Sequence, residues 1–216
     1  MVKSDSLGEI CPEVTGLRRR GQSQRGQNID CYFQGSPYLA GAQMERSLMS
    51  DTMSYVLKTS VNQMLASMRA SLRKGEAQAR ATDVEDSVFL SARLYPDMLP
   101  LSRQVQIACD NAARGAARLS GSEIPSFPDT ETTFAELMAR CDKALAFVNS
   151  VDDAKVDARE HETLQIPVGP QTMPMQGRQY LTTFVLTNMI FHVTMTYALL
   201  RHQGVALGKR DFLTGQ

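Results

Sequence analysis

The chain has no surplus of charge of either sign: 23 lysines and arginines balance 23 aspartates and glutamates over 216 residues. Affinity for nucleic acid comes largely from neutralising phosphates, so zero net charge argues against a DNA or RNA partner. It also provides no pull toward an acidic membrane or a strongly charged substrate. Paired cysteines are missing too. Cys11, Cys31, Cys109 and Cys141 form no C-x-x-C and no zinc-type spacing. Cys109 and Cys141 fall at apolar helical positions and read as small buried thiols in a reducing, cytoplasmic compartment. The first thirty residues lack the apolar core of a secretory signal. Asp5, Glu9 and Glu13 speak against the transit peptide that Arg18-Arg19-Arg20 suggests. There is no G-x-S-x-G elbow, no phosphate-cradling glycine loop, no paired carboxylate set on one helix, and no cysteine with basic neighbours to activate it.

What remains is enough chain for one domain with its own core. Residues 1–48 are rich in Gly, Gln, Ser and Arg with no sustained apolar period, which predicts a disordered extension. The folded domain is expected over 49–216. Its first helix begins near Ser50-Asp51, either of which can cap exposed amides. Met53, Leu57, Val61, Met64, Leu65, Met68 and Leu72 follow in one stripe, and Gly75 reads as the stop. A short helical piece is expected over Asp83 to Leu90. A second long helix starts between Pro96 and Pro100, where proline is tolerated, and runs to about Leu119. Ala108, Ala112 and Ala116 form a small-residue ridge on it that admits a close neighbour. Asp110 and Arg114 stand at i and i+4 in the favourable order. Thr133-Phe134-Ala135-Glu136 is a capping box that opens a third helix, with Leu137, Met138, Cys141, Leu145 and Val148 behind it.

Between Glu162 and Gly177 the period changes to two: Leu164, Ile166 and Val168 alternate, Gly169-Pro170 turns, and Met173 and Met175 alternate again. This predicts a small β-hairpin whose Pro167 and Pro174 lie on open edges. A last helix then runs from about Arg178 to His202. It holds no Asp, Glu, Lys or Arg from Tyr180 to Leu200, long enough to span a bilayer. Five threonines, Asn188 and His192 make it too polar for a comfortable lipid span, so a central helix of a bundle is the better reading. The expected fold is all-α, a four-helix bundle with a small hairpin before the last helix.

Only His161, His192 and His202 are available for histidine chemistry. Ten helical residues separate His192 from His202 by about 15 Å, far more than the roughly 4 Å between two nitrogens on one zinc. Asn188 and His192 form the more informative pair. They stand at i and i+4 on the stripe of Leu181, Phe184, Val185, Met195 and Leu199, so both are expected to point inward, where polar groups need partners. A structural network, a ligand or catalytic site, and a metal site all remain open for them.

From Met53 to Gly215 the chain resembles an uncharacterised helical family of unknown function grouped with the DinB/YfiT-like four-helix-bundle proteins. Its blocks are Ala92-Arg93-Leu94-Tyr95-Pro96-Asp97-Met98 with Gln104-Val105-Gln106-Ile107-Ala108-Cys109-Asp110, then Thr132-Thr133-Phe134-Ala135-Glu136-Leu137. Phe191-His192, Tyr197-Ala198-Leu199-Leu200-Arg201-His202 and Gly208-Lys209-Arg210-Asp211-Phe212-Leu213 complete them. The resemblance implies a bundle that is often a dimer, in a superfamily where some members hold a divalent metal through three histidines and act on thiol cosubstrates. Two of those histidines would fall on Asn188 and His192. The third would come from the second helix, which has no histidine and offers Asp110 as the obvious substitute. No cofactor is therefore expected, with the metal site degenerate. The implied function is a small-molecule pocket formed by Asn188, His192, Asp110 and Gln104, in a cytoplasmic homodimer with no nucleic-acid or membrane partner. The alternatives are an enzyme with His192 as catalytic base and a helix-turn-helix DNA reader that uses Gln104 to Arg118.

Overall fold

Helix α1 (Thr52–Ala81) opens the part of the chain that this computed structural model describes, residues 52–215. The expected 1–48 extension, its two cysteines and the Ser50-Asp51 cap lie outside the described residues. At the start of α1, Asp157 accepts from the Ser54 amide at 2.9 Å and from the Ser54 hydroxyl at 2.8 Å, which ties the first turn of the helix to the short helix Asp153–Ala158. Gly75 does not end α1. It is buried within the helix, where a Cβ would stand 2.9 Å from both Phe134 and Leu200; the glycine is there to let two neighbouring side chains in.

The remaining elements are α2 (Asp86–Ser91), α3 (Leu101–Ser120), α4 (Phe134–Ser150) and α5 (Asp153–Ala158). After them come β1 (Thr163–Val168), β2 (Gln171–Gln176), α6 (Gly177–His202) and α7 (Lys209–Thr214). Helices α1, α4, α3 and α6 form a ring in which each packs on the next and α6 closes back on α1. The apolar stripes read from the sequence line its interior: Leu57, Val61 and Leu65, Val105 and Leu119, Leu137 and Val148, and Val185 and Leu200 are all fully buried. Removing a leucine of this kind from water contributes about 1.5–3 kcal/mol. The capping box at Thr133 and Glu136 forms as read, and Asp110 pairs with Arg114 at 3.0 Å.

The hairpin pairs antiparallel with Ile166 opposite Met173 and Leu164 opposite Met175, Gly169 turning it at φ +59°. Leu164 and Ile166 sit on the bundle while β2 is largely exposed. The chain end folds back: Phe212 meets Tyr197 edge-on at 5.8 Å, and Lys74 pairs with the buried Asp211. Leu213 stays exposed.

Gly115 marks the tightest helix crossing. A Cβ there would lie 2.6 and 2.8 Å from the two methyls of Val185 on α6. Overpacking of this kind costs about 1–3 kcal/mol, so Gly115→Ala is expected to lower stability by that amount in urea unfolding. Val185→Ala in the same chain should recover part of it, because the clash is with methyls that Val185→Ala removes. Strict additivity of the two losses in the double variant would contradict this account.

Candidate functional site at the α3–α6 seam

One turn of α6 sets where its polar residues point. Tyr180–Val185 is a π-helical segment in which the Leu186 amide donates to Leu181, five residues back. The extra residue advances everything after it by about 100° relative to a straight helix. The expected stripe holds in part. Leu181, Val185, His192 and Leu199 are buried, joined by Met189, Val193, Thr196 and Leu200, while Phe184, Asn188 and Met195 are half-buried at its edge. Asn111 of α3 donates to the Val185 carbonyl at 2.6 Å and Arg118 to the Tyr180 hydroxyl at 3.3 Å, holding the distorted turn against α3. Neither contact had a signal in the sequence, since a π turn leaves no residue pattern of its own.

Beyond this turn, His192 meets Gln104, with Nδ1 to Oε1 at 2.7 Å, both residues buried. The Gln104 amide nitrogen donates to the Leu99 carbonyl at 3.2 Å, so its oxygen faces the ring. An amide oxygen only accepts, and this places the proton on Nδ1 and leaves the Nε2 lone pair without a protein partner among the described residues. Burial pushes the His192 pKa down from its ordinary value, because desolvation disfavours the imidazolium. The residue is thus a neutral acceptor with a set tautomer. Phe191 packs edge-on against its ring at 5.1 Å and is itself 55% exposed. Asn188, one turn earlier, makes no hydrogen bond to any described residue.

Asp110 belongs elsewhere. Its carboxylate is shared by Arg114 at 3.0 Å and Arg140 at 2.6 Å, on the side of α3 that faces α4. The residue of α3 that reaches His192 is Gln104, and Asp110 takes no part in that contact. The reason is angular: six residues turn a helix by 600°, so Asp110 and Gln104 point about 120° apart. Arg140 also binds Asp129 at 3.0 Å, Glu131 at 2.8 Å and the Pro128 carbonyl at 3.0 Å, with Phe127 5.7 Å beneath it. This cluster fastens the 121–133 connection to the bundle, and sequence reasoning passed over it because its members are scattered over thirty residues.

The donors do not suit a divalent cation. His192 has one nitrogen committed to Gln104, Asn188 offers a neutral amide, and Asp110 is engaged by two arginines. No group of three His, Cys, Asp or Glu side chains converges among the described residues. His161 is exposed beside the hairpin, and His202 is exposed at the end of α6. Cys109 and Cys141 are buried with sulfurs 3.9 Å apart; the bond to Cys141 and burial raise the Cys109 pKa well above its ordinary value, which makes it inert. The helix-turn-helix alternative loses its recognition helix, since Ala108, Ala112 and Ala116 are fully buried between α4 and α6.

Cavities of about 500, 430 and 360 Å³ open at the Phe127–Arg140 connection, at Asp83–Ser87 and beside Pro100. None of the three borders His192. Gln104 and His192 meet at the α3–α6 seam, with the half-buried Asn188 one turn earlier on α6 and the exposed Phe191 beside the ring.

Residues 55–213 match the model of a family described as a domain of unknown function, DUF1993. A crystal structure of a DinB family member protein from Shewanella denitrificans is similar to the chain at 33% identity and a TM-score of 0.67. The match covers 80% of this chain and 96% of that one. No curated protein matches the chain.

Proposed function

Since the chain belongs to the DUF1993 family of domains of unknown function and shares the helical bundle of a DinB family member, we propose that it binds a small neutral molecule on the α3–α6 seam. The observation that carries this reading is the His192 ring: the Gln104 amide oxygen accepts a hydrogen bond from Nδ1–H, and Nε2 is left to accept. Asn188, one helical turn away, adds a free amide that both donates and accepts. A ligand matching these groups carries a hydroxyl, amide or thiol proton for Nε2, a polar atom about one turn along for Asn188, and an apolar body for Phe191. Cationic ligands meet no carboxylate there, because Asp110 is turned away and consumed.

A second reading shares the same atom. A neutral imidazole with a free Nε2 is a competent proton acceptor, so an enzyme using His192 as base toward a thiol or water is the alternative. Turnover with a thiol cosubstrate, lost in His192→Phe, would select it. The reduced, buried Cys109 and Cys141 favour a cytoplasmic setting for either reading.

The test is nitrogen-15 spectroscopy of the imidazole with a library of small alcohols, amides and thiols. Without ligand, Nδ1 should appear protonated and Nε2 bare, and protonation should begin only below the ordinary histidine range. The unfolded chain takes up that proton near pH 6.5 while the folded chain resists it. Stability from this group is therefore complete above pH 6.5 and declines as the pH falls below it. A ligand should move the Nε2 signal, and Asn188→Leu should weaken it at unchanged melting temperature. An Nε2-protonated ring, or no response across the library, would sink the proposal.

A further inference from the structure

Between α4 and the 121–133 connection lies the cavity of about 500 Å³, a size within the range of roughly 300–1,000 Å³ typical of small-molecule sites. His192 is not among its walls. One wall is a strip of α4: Glu136, Ala139, Arg140 and Lys143 stand at i, i+3, i+4 and i+7, so they share one face of the helix. Ala139 is the small member and leaves room between its neighbours. Phe127 and Pro128 supply the apolar part of the facing wall, and Ser126 and Thr130 add hydroxyls.

Most of the charge around this space is already committed. Glu131 accepts from Arg140 and from Gln106, each at 2.8 Å. Glu136 accepts from the Thr132 and Thr133 amides at 2.7 and 3.1 Å. The terminal nitrogens of Arg140 are taken up by Asp110, Asp129 and Glu131. Two donors are left over. The Arg140 Nε–H is buried and bonds to no described residue, although buried donors ordinarily find an acceptor. The Lys143 ammonium, exposed at the rim, pairs with no carboxylate among the described residues.

We infer that this cavity binds a small organic monocarboxylate, its carboxylate between Arg140 and Lys143 and its carbon chain against Phe127, Pro128 and Ala139. An ionised carboxylate only accepts, which is what two unmatched donors lack. Arg140 and Lys143 are three residues apart on one helical face, so a single carboxylate can lie between them. A cation finds no uncommitted carboxylate there. A second negative charge on the ligand would lie among Glu131 and Glu136, which disfavours dicarboxylates.

Butyrate, butyramide, butylammonium and succinate share a four-carbon frame and differ in charge, which makes them the probes. Each is titrated into the full nitrogen-15-labelled chain. Butyrate should move the Arg140 Nε–H signal and raise the melting temperature, and the other three should need at least about tenfold more to do so. Lys143→Met should weaken butyrate by a similar factor. Ala139→Leu, which fills the space between Glu136 and Lys143, should abolish binding. Lys155→Met, exposed on α5, should bind as wild type does. Because Lys143 is exposed, its variant decides the question even if the Ala139→Leu chain folds poorly. Butyramide binding as tightly as butyrate would overturn the inference, as would butyrate affinity unchanged in Lys143→Met. So would a chain that no straight monocarboxylate from acetate to octanoate perturbs, or one in which butyrate moves the His192 signals and leaves Arg140 still.

Discussion

Arg140→Met is expected to cost about 3–5 kcal/mol, the range for breaking a buried ion pair by removing one partner. Arg140 is 2% exposed and answers three carboxylates at once: Asp110, Asp129 and Glu131. Methionine fills much of the same volume, so the loss is electrostatic and not a cavity. Arg103 still reaches Asp129, and Gln106 still reaches Glu131. Asp110 retains only the half-exposed Arg114. For a domain of this size 1 kcal/mol moves the melting temperature about 2–4 °C, so a fall of at least about 6 °C should appear. A loss under 1 kcal/mol in urea unfolding would mean that solvent already screens the cluster.

The pH dependence identifies the cause. Burial alone would raise the pKa of Glu131, but the hydrogen bonds from Arg140 and Gln106 outweigh it and hold the carboxyl below the usual range. Asp129 behaves likewise, with Arg103 and then Arg140 prevailing over burial. Groups depressed in this way contribute stability that is complete above the unfolded value near pH 4 and is lost as the pH falls through the lower folded value. In Arg140→Met that depression is relieved, and the difference between variant and wild type should shrink below about pH 4. A deficit constant with pH would assign the loss to packing.

The four bundle helices were legible because apolar period and capping chemistry are local. The Thr133 box and the 164–175 alternation both formed where they were read, and Gln104 and His192 meet although 88 residues separate them. Three features were hidden. Gly75 looks like a terminator, and only Phe134 and Leu200 arriving from other helices make it an interior residue. The π turn at Tyr180–Val185 changes the helical phase without a residue signature, so Asn188 was placed inward when it lies at the edge. Asp110 was matched to His192 on residue type, whereas a buried arginine thirty residues away claims it. Each miss concerns a partner brought by tertiary structure, which propensity and spacing do not encode.

Gly177→Ala tests the joint on which that phase depends. Gly177 is buried at the first turn of α6, where its amide donates to Glu162 at 2.9 Å and the next amide to Glu160 at 3.0 Å. A Cβ there would stand 2.0 Å from the carbonyl oxygen of Arg159 and 2.9 Å from its carbon. These are backbone atoms, so no side chain can yield by changing rotamer. Arg159 is in turn fixed to the end of α3 by a 2.8 Å bond to the Arg118 carbonyl. The conflict must open the turn, detach the hairpin from the bundle, or shift the start of α6, and each loses buried hydrogen bonds as well as packing. A cost of about 3 kcal/mol or more is expected, with a melting temperature lower by at least about 6 °C. Gly169→Ala serves as the contrast. Its φ is +59° and nothing lies within 4 Å of the added carbon, so only left-handed strain of about 1–2 kcal/mol applies. If the two variants melt together, the Gly177 contact is soft and the joint does not hold the phase of α6. If Gly177→Ala is far the worse and also disturbs the His192 Nδ1 proton, the hairpin joint and the α3–α6 seam form one mechanical unit.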